Sequence, residues 1–548
     1  MRRAHPVGQI RDAERPLIAA AAASGDPDAV MRRAAAGVAH HTAVLLRERT
    51  GGLYGRTVQL LVGAGDNGGD ALYAGAMLRA RGCRVDAVML DPDRAHARGL
   101  VALRRVGGRI HDTESVGSRL PVPDVAVDGV VGLGGRGPLR QPADRIVNGL
   151  AAAGVPWVAV DLPSGVDADT GTVHDAHVPA TLTVTFGLLR RAHLLASPVC
   201  GRVEVVDIGL IDPTDPAQAR RLQMQERVPD YLSAGPNTVV AHSRAEVGRT
   251  WPVPGPADDK YTQGVVAVRA GSDRYPGAAV LCASAAVAAT SGMVRYVGSA
   301  AGAVLAARPE VVCHPTVAEA GTAQAWVVGP GGGTGTDAVA DIDAVLSTGR
   351  PTVLDADALT CIATHPVLLR SATAPVLLTP HAGEFDRLTG GWDRADRPGA
   401  LRRFTAGLRD RGIAATVLLK GRVTLIDDGE TTFAVDVGSS WAATAGSGDV
   451  LAGMAGALLA SGRGVGGTGV GGSGVGGRGV GGSVPGESLA WPAVAAATAH
   501  GEAARRAAHR QGVAGAPIGA SDLLAAVPGA ISALRGRESP TGGAFWQY

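Results

Sequence analysis

The feature that most limits what this chain can become is a repeated unit: an apolar run, a glycine-containing polar loop, then a helical pattern. Thr57-Val58-Gln59-Leu60-Leu61-Val62 runs into Gly63-Ala64-Gly65-Asp66-Asn67-Gly68-Gly69-Asp70, and a helix is predicted over residues 71–81. Val125-Ala126-Val127-Asp128 and Val155-Pro156-Trp157-Val158-Ala159-Val160 enter similar loops. The runs at 265–268, 325–328, 353–354, 377–378 and 417–419 do the same. Apolar strands that alternate with helices predict parallel sheets covered on both faces, an α/β fold. Ligands of such sheets bind beyond the carboxyl ends of the strands. The chemistry is therefore sought in the loops.

At 548 residues the chain exceeds one ordinary core, so two or more domains are expected. The pattern places them at 1–215 and 251–548, joined by a polar connector at 216–250. A Gly-Val-Gly-Gly tract at 462–484 interrupts the second; such a sequence cannot bury a core and reads as a flexible loop. Lys+Arg 52 against Asp+Glu 50 gives net +2, which argues against a nucleic-acid or membrane partner. Lys260 and Lys420 are the only lysines, and both fall in candidate motifs. The five cysteines are scattered without metal-ligand spacing, so neither zinc nor a disulfide framework is expected. Arg11, Asp12, Glu14 and Arg15 break up the N-terminal segment, which argues against a signal peptide. A cytoplasmic enzyme is the expectation, with homo-oligomerisation expected as well.

Gly446-Ser447-Gly448-Asp449 precedes an apolar run with helical spacing. Its glycines permit a tight turn, and the free N–H groups of a helix start suit a phosphate or an oxyanion. Asp449 beside an anion site is either an N-cap or a group that takes a proton from a hydroxyl. In the first half, three predicted strands deliver Asn67, Asp128 and Asp161 or Ser164 at their carboxyl ends. Their oxygens suit a cation or a ribose. Asp355 and Asp357 follow the strand at 353–354, where they either cap a helix or order magnesium-bound water.

The loops Thr379-Pro380-His381-Ala382-Gly383-Glu384, Lys420-Gly421-Arg422-Val423-Thr424 and Gly446-Ser447-Gly448-Asp449 together resemble the ribokinase-like ADP/ATP-dependent NAD(P)H-hydrate dehydratases. Roughly the first 210 residues resemble the NAD(P)H-hydrate epimerases, through Gly-x-Gly-x-Asn-Gly-Gly-Asp, Val-Asp-x-x-x-Gly-x-Gly and Asp-x-Pro-Ser-Gly. The sequence departs from the epimerase pattern at Asp66, where the family has Asn, and at Ala71, where it has Gly.

The resemblance implies a Rossmann-like three-layer sandwich followed by a ribokinase-like α/β domain. In the first, Asn67, Asp128 and Ser164 would bind K+, and Asp161 would transfer the proton. Asp66, Asn67, Gly68, Gly69 and Asp70, with Gly132, Leu133, Gly134, Gly135, Arg136, Gly137 and Pro138, would hold the substrate. In the second, Asp449 would be the base, and Ala278, Gly333 and His381 would contact substrate. Lys420, Gly421, Arg422, Val423, Thr424 and Gly448 would hold ADP, with Mg2+. The implied ligands are hydrated NADH or NADPH and ADP. The alternative is a sugar- or hydroxymethylpyrimidine-type kinase whose first half is a non-catalytic binding module.

Overall fold

The computed structural model describes residues 1–117, 120–210, 237–290, 292–462 and 488–536. The Gly-rich insert from residue 463 on, the connector up to residue 236 and the tail from residue 537 lie outside them. The chain forms two compact units, Arg2–Val239 and Val240–Tyr548, with Met1 counted in the second.

In the first unit seven of the described strands form a wholly parallel sheet. Side by side they run Arg109–His111, Arg84–Met89, Thr57–Val62, Val125–Gly129, Trp157–Val160, Leu182–Phe186 and Arg202–Val206. Chain order thus reverses between Thr57–Val62 and Val125–Gly129, which opens a crevice at their carboxyl ends. The register sets Val62 level with Gly129 and Asp128 level with Ala159, so the three following loops start at one height. The central strands are buried almost throughout, as their unbroken apolar runs predict.

Two helices differ from the sequence expectation. The helix after the first strand is Asp66–Ala80, so the Gly-Gly-Asp motif is its first turn and not a loop ahead of it. Gly65, at φ 91°, makes the turn. A methyl group on Gly68 would lie 2.2 Å from the Gly63 carbonyl oxygen, and one on Gly69 would lie 2.7 Å from Met31 Sδ. Gly68 lets the helix press against the end of its own strand, and Gly69 lets it press against Met31 of helix Ala29–Thr50. The second difference is Val7–Ala23, a helix where the charges hid the apolar spacing. It buries Ile10, Ala13 and Ala21, and its first N–H donates to Asp169 Oδ1 at 2.8 Å.

The described strands of the second unit run Val312–His314, Met293–Val297, Val265–Arg269, Ala325–Val328, Thr352–Leu354, Val376–Leu378 and Ala415–Leu419, all parallel. Thr424–Asp427 and Thr432–Val435 then add antiparallel. Chain order reverses between Val265–Arg269 and Ala325–Val328. Helices Pro276–Ala289 and Ser447–Ala460 pack closely because the sequence supplies small residues: a methyl group on Gly453 would lie 2.1 Å from the Cys282 carbonyl oxygen. Helix Arg244–Thr250, with its Ser243–Glu246 capping box, belongs to this unit. The unit therefore starts ahead of the expected residue 251, in a stretch whose described elements are the short strand Val239–Ala241 and this short helix. Among the described residues, no helix is long and apolar enough to cross a membrane.

Candidate active sites

In the first unit the reversal point brings together the loops that the motifs named. Asp128 is fully buried and accepts three hydrogen bonds: Ser164 Oγ at 2.8 Å, Ser164 N at 2.8 Å and Val130 N at 3.1 Å. Burial pushes its carboxyl up to about 6, and those three bonds pull the other way. Val131 N donates to Ser164 Oγ at 3.1 Å, and Asn67 Nδ2 donates to the Val160 carbonyl at 2.8 Å. A methyl group on Gly132 would lie 2.4 Å from Asn67 Oδ1, so that oxygen faces the 132–138 loop. Asn67, Asp128 and Ser164 are thus brought to one place, as expected. One amide oxygen, one carboxylate and one hydroxyl fit a monovalent cation better than a doubly charged one, which usually recruits more carboxylates.

Around this cluster, Asp66 is exposed at the helix start, while Gly68, Gly69 and Asp70 are buried. Gly134, Arg136 and Pro138 are exposed, and Gly132, Leu133, Gly135 and Gly137 are partly so. Leu133 packs against the apolar core, which anchors the loop. Asp167 Oδ1 accepts from Gly137 N at 3.3 Å and anchors its far end.

Asp161 stands in the left-handed region, at φ 66°, and is 3% exposed. A non-glycine residue held there marks a conformation imposed by its surroundings. Thr185 Oγ1 donates to its Oδ1 at 2.9 Å, and Arg190 Nε pairs with the same oxygen at 2.8 Å. His193 Nε2 donates to the Asp161 carbonyl at 2.8 Å, while its Nδ1 accepts from Arg190 N at 3.1 Å. Burial lowers that imidazole to about 3, so it is neutral and acts as a strut. Sequence reasoning missed Thr185, Arg190 and His193, which sit past the last motif of that half. The neighbour Asp70 is buried, and burial with Asp161, Asp66 and Glu14 raises its carboxyl well above the usual range.

In the second unit Gly446, at φ 82°, caps helix Ser447–Ala460, so the Gly-Ser-Gly turn lies where the sequence placed it. His500 Nε2 donates to the Ser447 carbonyl at 2.8 Å; burial lowers this imidazole to about 4, so it too is a neutral brace. Asp449 lies in the first turn. Burial, then the nearby Asp355 carboxylate, raise its carboxyl to about 7 against the pull of Lys420. Lys420 Nζ pairs with Asp355 Oδ1 at 2.6 Å and lies 4.0 Å from Glu384 Oε2. A methyl group on Gly448 would lie 3.4 Å from Lys420 Nζ and 3.7 Å from Asp355 Oδ2. The structure thus groups Gly448, Lys420 and Asp355 at the helix start that carries Asp449. Ala356, at φ 50° and ψ −115°, turns the chain between Asp355 and helix Asp357–Thr364.

The remaining expected residues surround this group. Gly333 N donates to Asp357 Oδ2 at 2.9 Å, and Ala278 packs beside Gly331. His381 caps helix Ala382–Thr389: its Nδ1 accepts from Gly383 N at 2.9 Å, and its side chain is 56% exposed. In the 420–424 loop, Arg422 pairs with Asp436 and Val423 is buried, so the loop offers backbone groups and Lys420. Asp355 and Asp357 both act on the Asp449 carboxyl. Among the described residues no three such groups come close enough to hold a metal ion directly, so a magnesium ion here would keep its waters and lean on substrate phosphates.

Fold and sites define a two-unit α/β enzyme: a Gly-rich loop site around a buried carboxylate, then a Lys–Asp pair beside a raised carboxyl at a helix start. Residues 27–192 match the family model described as YjeF-related protein N-terminus, and residues 266–525 match the one described as NAD(P)H-hydrate dehydratase. The bifunctional NAD(P)H-hydrate repair enzyme Nnr of Mycobacterium tuberculosis is 50% identical over 465 residues, 84% of this chain and 90% of that protein. Those of Mycobacterium leprae (50% over 467 residues, 84% and 90%) and Corynebacterium glutamicum (37% over 510 residues, 83% and 86%) are also similar. The chain belongs to the family of bifunctional NAD(P)H-hydrate repair enzymes.

Proposed function

We propose that the first unit interconverts the R and S epimers of hydrated NADH and NADPH, and that the second dehydrates the S form with ADP. Hydroxide leaves poorly, so dehydration needs activation. Asp449 takes the hydroxyl proton, and the hydroxyl oxygen attacks the terminal phosphorus of ADP, releasing AMP. The phosphate then leaves with the C–O electron pair, and loss of a proton from the adjacent ring carbon restores the double bond. The Gly446–Gly448 backbone amides and Lys420 hold the transferring group, since such transfer needs positioning and charge neutralisation. Asp355 and Asp357 would hold Mg2+ through water, where it would neutralise phosphate charge. The observation that carries this reading is Asp449, raised to about 7 at a helix start with the Lys420–Asp355 pair alongside.

In the first unit Asp161 moves the proton, and Asn67, Asp128 and Ser164 would hold K+, which would offset phosphate charge and tie the loops together. The 66–70 and 132–138 segments receive the substrate. The test is the purified protein with mixed hydrate epimers and ADP. Complete conversion to reduced nicotinamide, faster than the epimers interconvert unaided, is expected in K+ and not when a bulky organic cation replaces it. A stable phosphorylated alcohol as product would instead make the second unit a kinase.

A further inference from the structure

Asp161 is ion-paired with an arginine that a second carboxylate also holds. Arg190 is 1% exposed; its Nε is 2.8 Å from Asp161 Oδ1, and its Nη2 donates to Glu14 Oε1 at 3.1 Å. Its Nη1 donates to the carbonyls of Phe186 (2.6 Å) and Leu188, so the plane of the guanidinium is fixed. Glu14 lies on helix Val7–Ala23, one turn after Ile10 and beside Ala13, both of which face the core. Its side chain therefore points inward. This helix precedes the 27–192 stretch that the family model matches.

We infer that Glu14 is a positioning residue for epimerisation: by sharing Arg190 with Asp161, it fixes where the Asp161 carboxylate points. The inference rests on Asp161 as the residue that moves the proton. A guanidinium divided between two carboxylates holds each less tightly than it would hold one. Burial, Asp161 and the pull of Arg190 act together on Glu14, with a net rise above its ordinary range. The other charged groups acting on this network are Arg11 on Glu14, Asp70 with Asp66 beside it, and Arg2 on His193.

The experiment compares Glu14→Gln, Glu14→Asp and Asp161→Asn in the full-length protein, reading epimerisation as kcat and KM. The calorimetric transition of the first unit is the folding control, and dehydration of the S epimer shows that the second unit is intact. With Glu14→Gln, kcat should fall about tenfold at near-constant KM, as small misplacements of a reacting group do. Glu14→Asp should restore part of the lost rate at unchanged KM. An unchanged kcat in Glu14→Gln, or a loss carried by KM, would overturn the role, since a residue that only positions the reacting carboxylate acts on kcat. If Asp161→Asn keeps epimerisation, the reading of Asp161 itself fails; if Asp161→Asn is dead and Glu14→Gln is normal, only this inference does.

Discussion

Asp449→Asn is expected to lower dehydration ~10²–10⁴-fold, the usual contribution of a positioned base, while epimerisation in the other unit continues. The amide keeps the shape of the carboxyl but cannot accept the hydroxyl proton. The wild-type pH profile should carry the same signature. Asp449 is raised to about 7, and only its ionised form is a base. The kcat/KM of dehydration should therefore climb about tenfold per pH unit on the acid side and level off above that midpoint. Lys420 favours the ionised form and Asp355 opposes it. Lys420→Gln should thus move the rising limb to higher pH, because it removes the ammonium and leaves Asp355 without its 2.6 Å partner. Spectrophotometric return of reduced nicotinamide across pH measures all three. Near-normal turnover in Asp449→Asn, or a flat wild-type profile through neutrality, would remove Asp449 from the role of base.

The second large effect is expected from Asp128→Ala. The substitution strips the acceptor from Ser164 N, Ser164 Oγ and Val130 N in a place with no solvent access. Each buried donor left unpaired costs about 1–3 kcal/mol. Unfolding of the first unit should therefore move down by roughly 5 °C or more, read as its own calorimetric transition, since a chain of two units need not unfold in one step. Epimer interconversion should be lost, because the 130–138 loop takes its start from those bonds. Dehydration of the S epimer should persist. A lowered first transition with unchanged epimerisation would show that Asp128 merely caps a loop; an unchanged transition would show that these bonds add nothing to stability.

The strands that run into the motif loops and the Gly446 turn were legible because their signals are local: an apolar run of strand length, or glycine where a positive φ is needed; strands away from those loops, such as Leu182–Phe186, Arg202–Val206 and Met293–Val297, were not. Asn67, Asp128 and Ser164 were legible as strand-end residues, and the parallel register that brings Asp128 level with Ala159 explains their convergence. The partners of Asp161 were not. Thr185 and Arg190 lie beyond the following crossover, and Glu14 lies far upstream on a helix whose charges mask its apolar face. Nothing local in the sequence declares such contacts; only the sheet order brings them together. The helix start at Asp66 was misplaced because glycines read as loop, whereas here they serve close packing of the helix on its strand end and on helix Ala29–Thr50. Asp355 and Lys420 were each singled out, but their ion pair depends on two strands being neighbours of a third, Val376–Leu378.

The Lys420–Asp355 pair also bears on chemical reagents. With lysine confined to two positions, amine-directed acylation has two side-chain targets, exposed Lys260 and Lys420, whose side chain is 21% exposed. An acyl group on Lys420 would cancel the ammonium that balances Asp355 and leave those carboxylates facing a polyphosphate. A reactive thioester or anhydride could thus silence one of the two reactions and spare the other, whose machinery contains no lysine. Bound nucleotide would shield the amine, so the degree of labelling would report how much of the protein is loaded.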